Sequence, residues 1–287
     1  MEQSFGRRLS PELMALLEQG GEIDALVPAV ANATLDVQIR ENALHVYSGQ
    51  SRVLSIERGG FGFIACIHHK FLVDVCLPGA ESKRGEYRCY PMRNTFVAEY
   101  LRQLHPIVEH AAQYGKAEGA IEHQIIRGSV KAGAPMVVVD RQVQVHGRPG
   151  RADMVGVMQL DSEGHKGRLM LVELKHGLDN TIQTAAEQIH EYFNVLTDAG
   201  KLRDEVGTSY REVVEQKRRL GVLPDNMRWP KEIVEVGCLV VLHGYNRKSR
   251  LLDRLRASLR GGHPQTWLVV LPEWNCDLPS HDKWEVL

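Results

Sequence analysis

Leu171-Val172-Glu173-Leu174-Lys175, taken with the earlier stretch Gly150-Arg151-Ala152-Asp153-Met154-Val155, decides how this chain is read. Leu169 to Val172 are all apolar, so residues 168–174 read as a buried strand. Side chains alternate along a strand, so Glu173 and Lys175 point to one face and Leu174 to the other. Two charges on a mostly buried element are costly unless they are paired or bind something. A divalent cation and a phosphate would satisfy both. Downstream, Gln188-Ile189-His190-Glu191-Tyr192 lies in a stretch of helical period, with Gln188 and Tyr192 one turn apart on one face.

Working outward, residues 136–145 form a β-branched run, 153–160 a further strand, and 161–167 a polar turn holding Gly164 and Gly167. Residues 181–196 read as a helix, with Ile182, Ala185, Ile189, Tyr192, Phe193 and Leu196 near one side. A charged helical excursion over 201–219 follows, then a buried strand at 233–242, a helix at 248–259 and a strand at 266–271. A helix over about 116–128 precedes the set. The order helix, three strands, helix, strand, helix, strand defines an α/β domain over residues 111–287.

The first 110 residues read as a separate, mostly β module. Residues 11–18 form a short helix with Ser10 as N-cap and Pro11 at its first position, ended by Gly20-Gly21. Leu35-Val37-Ile39, residues 43–48 and residues 52–57 alternate as a small antiparallel meander. Residues 61–75 add strands, 79–85 form a polar loop and 93–110 are helical in pattern. The Gly59-Gly60-Phe61-Gly62 run lacks a phosphate-loop Lys and reads as a turn.

The 287 residues carry 43% hydrophobic and 25% charged side chains, the proportions of a globular protein. No apolar run approaches the ~20 residues of a membrane span, and residues 1–10 carry no signal-peptide core. The five cysteines are scattered, odd in number and without a CxxC pair. That argues against a zinc ribbon or a disulfide framework and for a reducing cytoplasm. His68-His69 between Cys66 and Cys76 matches no usual zinc spacing. A net charge of −1 neither announces nor excludes a nucleic-acid partner, which needs only a local basic surface.

The C-terminal part resembles the PD-(D/E)XK phosphodiesterases, the restriction-endonuclease-like nucleases, in the branch related to RecB. The resemblance rests on Gly150-x-x-Asp153, Glu173-x-Lys175 and Gln188-x-x-x-Tyr192, with Glu118 or Glu122 on the preceding helix. Ala152 stands where the superfamily name has Pro. The resemblance implies a mixed central sheet flanked by helices, and a cytoplasmic Mg²⁺- or Mn²⁺-dependent nuclease acting on DNA in preference to RNA, in restriction, phage defence or repair. Asp153, Glu173, the Leu174 carbonyl and Glu118 would be metal ligands. Lys175 would orient or deprotonate the water, Gln188 would hydrogen-bond Lys175 or the nucleophile, and Tyr192 would lie on the same helix face. Glu118 is favoured because the buried stripe of Ile121 and Ile125 begins just after it, leaving Glu122 as a solvated charge. The alternative is a nuclease fold used for nucleic-acid or protein binding without hydrolysis. The N-terminal module would serve recognition or assembly, homodimerisation included. Arg247, Lys248, Arg250, Arg254, Arg256 and Arg260 flank a leucine stripe and read either as snorkelling cations or as phosphate contacts. Lys217-Arg218-Arg219 reads as a solvated face or a weaker contact of the same kind.

Overall fold

The computed structural model describes the chain apart from residues 1–6, 80–81, 144–150, 178–181, 183, 198–199, 247 and 261–264, and apart from the side chains of 195–197 and 200–205. Gly150 and Arg247, both singled out in the sequence, therefore lie outside the described residues. The chain divides into two compact units: Met1–His123 with Ser209–Met227, and Gln124–Thr208 with Arg228–Leu287. The architecture is α/β, a small N-terminal antiparallel sheet module followed by a mixed sheet with helices around it. The division sets residues 209–227 with the first unit, where the sequence reading had placed them in the second domain.

In the first unit, α1 (Pro11–Leu17) starts where its capping residue dictates: Ser10 Oγ accepts the Leu13 N–H at 3.3 Å. A second helix, α2 (Leu26–Asn32), has no side-chain cap and was not legible in the sequence. The sheet comprises β1 (Asp36–Arg40), β2 (Ala43–Ser48), β3 (Ser51–Gly59), β4 (Gly62–His68), β5 (Ser82–Arg84) and β6 (Tyr87–Pro91), in the order β1-β2-β3-β4-β6-β5. The expected meander is its first half, and Gly60-Phe61 is the turn between β3 and β4. The expected polar loop at 79–85 contains β5, exposed throughout.

The helical stretch at 93–110 is two helices, α3 (Asn94–Arg102) and α4 (Leu104–Ala112). Pro106 accounts for the break, since its ring excludes the carbonyl of Arg102 four residues before. α5 (Ala117–Gly128) follows and runs across the division between the units.

Cys66 and Cys89 are cross-strand partners of β4 and β6 and are joined as a disulfide. A single disulfide thus forms where the scattered, odd-numbered cysteines argued against a disulfide framework. Spacing along the chain carries no sign of it, because only the register of two strands sets these residues opposite each other. The argument for a reducing compartment from unpaired cysteines falls with it. Among the described residues, no helix is long and apolar enough to cross a membrane.

The second unit opens with an antiparallel meander, β7 (Val137–Val143), β8 (Ala152–Gln159) and β9 (Lys166–His176). α6 (Thr184–Thr197) packs on β9, β8 and the next strand, β10 (Glu232–His243), which runs parallel to β9. Between them in sequence lies α7 (Gly200–Arg219), whose residues from Ser209 onward belong to the first unit. α8 (Arg250–Arg260) leads to β11 (Thr266–Leu271), parallel to β10, and β12 (Glu285–Val286) closes the edge antiparallel. The order is β12-β11-β10-β9-β8-β7.

Parallel strands need crossovers, and the crossing helices cover the sheet, so Leu169–Val172 and Cys238–Leu242 are buried without alternation. A glycine is required at 237, where a Cβ would sit 2.5 Å from the Trp267 ring.

Lys217 corrects the solvated-face reading of the Lys217-Arg218-Arg219 run. It is 2% exposed, and its Nζ donates to Gln38 Oε1 at 2.9 Å, while Gln38 Nε2 donates to Asp36 Oδ1 at 2.7 Å. Arg218 pairs with Glu215 and Arg219 with Glu18, all within the first unit. Buried ammonium groups are tolerated only with partners, so this chain of bonds fixes the last turns of α7 against β1.

Candidate active site

The register of β8 on β9 pairs Met154 with Val172. One step along, Asp153 faces Glu173, and facing residues of an antiparallel pair share a sheet face. Glu173 and Lys175 alternate with buried Leu174, so Asp153, Glu173 and Lys175 occupy one face. Lys175 Nζ donates to Glu173 Oε1 at 2.6 Å, with the two side chains 13% and 2% exposed. The Asp153 Oδ2 accepts the Leu174 N–H at 2.8 Å. Leu174 thus meets Asp153 through its N–H.

Burial pushes the Asp153 carboxyl above its ordinary value. The Leu174 N–H and then the charges of Lys175, Arg151 and Arg141 pull it the other way. A carboxylate held between desolvation and cations is one that an added cation would ionise fully.

Tyr192 is brought to the same place by α6. It is 4% exposed. Its hydroxyl is pushed up to about 12, first by burial, then by the Glu173 charge, with Asp153 adding to it and the Arg151 backbone N–H opposing. The phenol therefore stays protonated at neutral pH and can donate towards the acids. Gln188, one turn before, is half-buried, and its Oε1 accepts the Thr184 hydroxyl at 3.4 Å, a bond within its own helix.

Glu118 and Glu122 lie on the part of α5 that belongs to the first unit. Glu122 is 1% exposed and Glu118 is half-buried. Glu122 is thus not a solvated charge. The stripe includes Ile126, one turn after Glu122, as well as Ile121 and Ile125, and this places Glu122 inside it.

Arg141 escaped the sequence reading. It is 0% exposed, pairs across from Met154, and its charge bears on Asp153. A register shift between Val138 and Asp140 and a left-handed backbone at Gln142 (φ 51°) accompany it. Irregularities of this kind re-aim side chains beside functional sites. The available signal was Asp140-Arg141 breaking an otherwise β-branched run.

His176, the residue after Lys175, also escaped notice. Its Nδ1 lies 3.1 Å from Nδ1 of His243, its register partner on β10. His243 Nε2 in turn lies 3.5 Å from Cys276 Sγ.

The donor set offered by Asp153 and Glu173 is hard oxygen, the chemistry that suits Mg²⁺ or Mn²⁺. Among the described residues, no three His, Cys, Asp or Glu side chains gather as a ready ligand group. Of the other candidates, Cys66 is in the disulfide, and His68 and His69 bond to Glu86. On α8, Arg256 is held by Glu285 and Asp253, and Arg260 lies 4.0 Å from Glu285. Lys248, Arg250 and Arg254 are exposed.

Comparison of the chain with known protein families, with curated proteins and with solved structures finds no match in any of the three.

Proposed function

We propose that this protein is a metal-dependent phosphodiesterase of the restriction-endonuclease-like kind, cleaving nucleic acid, with DNA the favoured substrate. One observation carries the reading: Asp153, Glu173 and Lys175 share one face of adjoining strands, with Lys175 bonded to Glu173 and Asp153 bonded to the Leu174 N–H between them. The succession of a helix, an antiparallel meander, a crossover helix and a parallel strand supports the same reading.

Asp153 and Glu173, with the Leu174 carbonyl, would hold Mg²⁺ or Mn²⁺. The ion supplies charge stabilisation and a more acidic water. Lys175, whose ammonium lies 2.6 Å from Glu173, would orient the attacking water or take its proton and offset charge developing on the phosphate. Tyr192, a neutral phenol that feels the charge of both acids, would be a hydrogen-bond donor available to this site. Burial around the acids lowers the local dielectric, which strengthens each of these interactions. The N-terminal module serves target recognition or assembly, since the acid–Lys set lies wholly in the second unit.

The test is cleavage of a panel of DNA and RNA substrates by the wild type and by Asp153→Ala, Glu173→Ala and Lys175→Ala. Activity should require Mg²⁺ or Mn²⁺, with Ca²⁺ supporting little turnover. Each variant should lose about a hundredfold or more. Full activity in EDTA-treated protein, or near wild-type rates for Lys175→Ala, overturns the reading.

A further inference from the structure

We infer that Trp274 is a stacking platform for an unpaired base, so that the strand entering this site is single-stranded or locally melted. The inference rests on the nuclease reading and names the form of its substrate.

Trp274 is 87% exposed, whereas Trp267 and Trp284 are 1% and 4% exposed. It sits directly after β11, in a turn closed by Asn275 N–H donating to the Pro272 carbonyl at 3.1 Å. Asp277 N–H donates to Asn275 Oδ1 at 2.9 Å and holds the exit of that turn. An indole presented on a fixed turn loses little freedom when something stacks on it.

Its position is set from both sides. On one side, Glu273 Cγ and His176 Cε1 would both contact a Cβ built on Gly244, at 3.3 and 3.8 Å. On the other side, Cys276 Sγ lies against His243, which lies against His176. Residues 273 and 276 are therefore anchored at the carboxyl ends of β9 and β10, through His176 and His243 on the sheet face opposite Lys175. Trp274, between them, stands at the carboxyl-end rim of the sheet, the end at which β9 also carries Lys175.

That rim is formed by the carboxyl ends of β9, β10 and β11, where open α/β sheets take their ligands. The loop leaving β10 adds exposed Lys248 and Arg250 at the same edge. An exposed aromatic face and exposed cations on one rim are the chemistry that binds single strands: bases stack on the ring while phosphates meet the charges. In a duplex those base faces are covered by their neighbours, so the ring finds no partner there.

The test is equilibrium binding in EDTA, which separates association from hydrolysis. The probes are a fluorescent single-stranded DNA oligonucleotide, its RNA counterpart and the matched DNA duplex, at one fixed salt concentration. The wild type should prefer single strands to the duplex. Trp274→Ala should lose that preference and weaken single-strand binding about tenfold or more. Trp274→Phe should retain most of it. Indole fluorescence should be quenched by the single strand in the wild type and in Lys175→Ala, but not in Trp274→Ala.

Wild-type affinity and preference in Trp274→Ala overturn the inference, and leave the nuclease reading to its own cleavage assay. Absence of oligonucleotide binding by the wild type, or a dimer in sedimentation that Trp274→Ala dissolves, overturns it as well. Stacking through Trp274 in a protein that cleaves nothing with any metal sinks the hydrolytic reading and leaves the platform standing.

Discussion

Asp153 Oδ2 accepts the backbone N–H of Leu174 at 2.8 Å, so the acid of one strand grips the peptide that lies between the two charges of the next, Glu173 and Lys175. This single bond gives Asp153 two separable duties. It completes the strand pairing as an acceptor, and it brings negative charge to the face shared with Glu173.

Substitution should pull those duties apart. Asp153→Asn keeps an oxygen for Leu174 and removes a charge that burial disfavours, so stability should be unchanged or slightly raised. Asp153→Ala leaves the Leu174 N–H without its acceptor and should cost about 1–3 kcal/mol. Both should lose cleavage. Urea midpoints with matched cleavage rates check this, and an active Asp153→Asn would remove the carboxylate from the chemistry.

His243 sets an acid limit on stability. It is 4% exposed, and its imidazole is held below the ordinary value of 6.5, first by burial and then by the charge of His176, with Glu273 opposing. The unfolded chain therefore takes the proton more readily, and stability should be lost as pH falls below 6.5 towards the depressed folded value. His243→Gln should flatten this slope in denaturation midpoints between about pH 5 and 8. An unchanged slope would assign the acid loss to other groups.

The buried chain Lys217–Gln38–Asp36 predicts non-additivity. Gln38→Leu takes from Lys217 the amide oxygen it reaches at 2.9 Å and should cost about 1–3 kcal/mol. Adding Lys217→Met should recover much of the loss, since an apolar pair leaves no ammonium to satisfy. The same residues bear on truncation. A chain starting at residue 111 would lack β1 and its Gln38, leaving buried Lys217, Tyr210 and Val214 of α7 without their unit. Its solubility and helicity should fall accordingly, and a cooperative thermal transition matching the full chain would contradict this.

The Cys66–Cys89 link should be visible by thiol titration of the unfolded, unreduced protein, which should show three reactive thiols, Cys76, Cys238 and Cys276. Closing a loop of sequence separation 23 should stabilise the first unit by about 3 kcal/mol. Five thiols, or no shift of the melting temperature on reduction, would count against the bond.

Local chemistry made much of this protein legible. Apolar runs and alternation gave β1 to β4 and β7 to β11, though not the short β5, β6 and β12, Ser10-Pro11 gave the first helix, and Glu173-x-Lys175 gave the shared charged face, because each depends on residues a few positions apart. Pairing between distant segments was beyond its reach. The sequence carried no sign that β4 and β6 would set Cys66 opposite Cys89, that α7 would bury Lys217 beside Gln38, or that β9 and β10 would bring His176 to His243. It misjudged Glu122, whose burial depends on which side of α5 meets the core. These outcomes are fixed by strand register and by which helix face is covered. Both are decided only when the whole apolar surface is packed at once, so tertiary structure alone settled them.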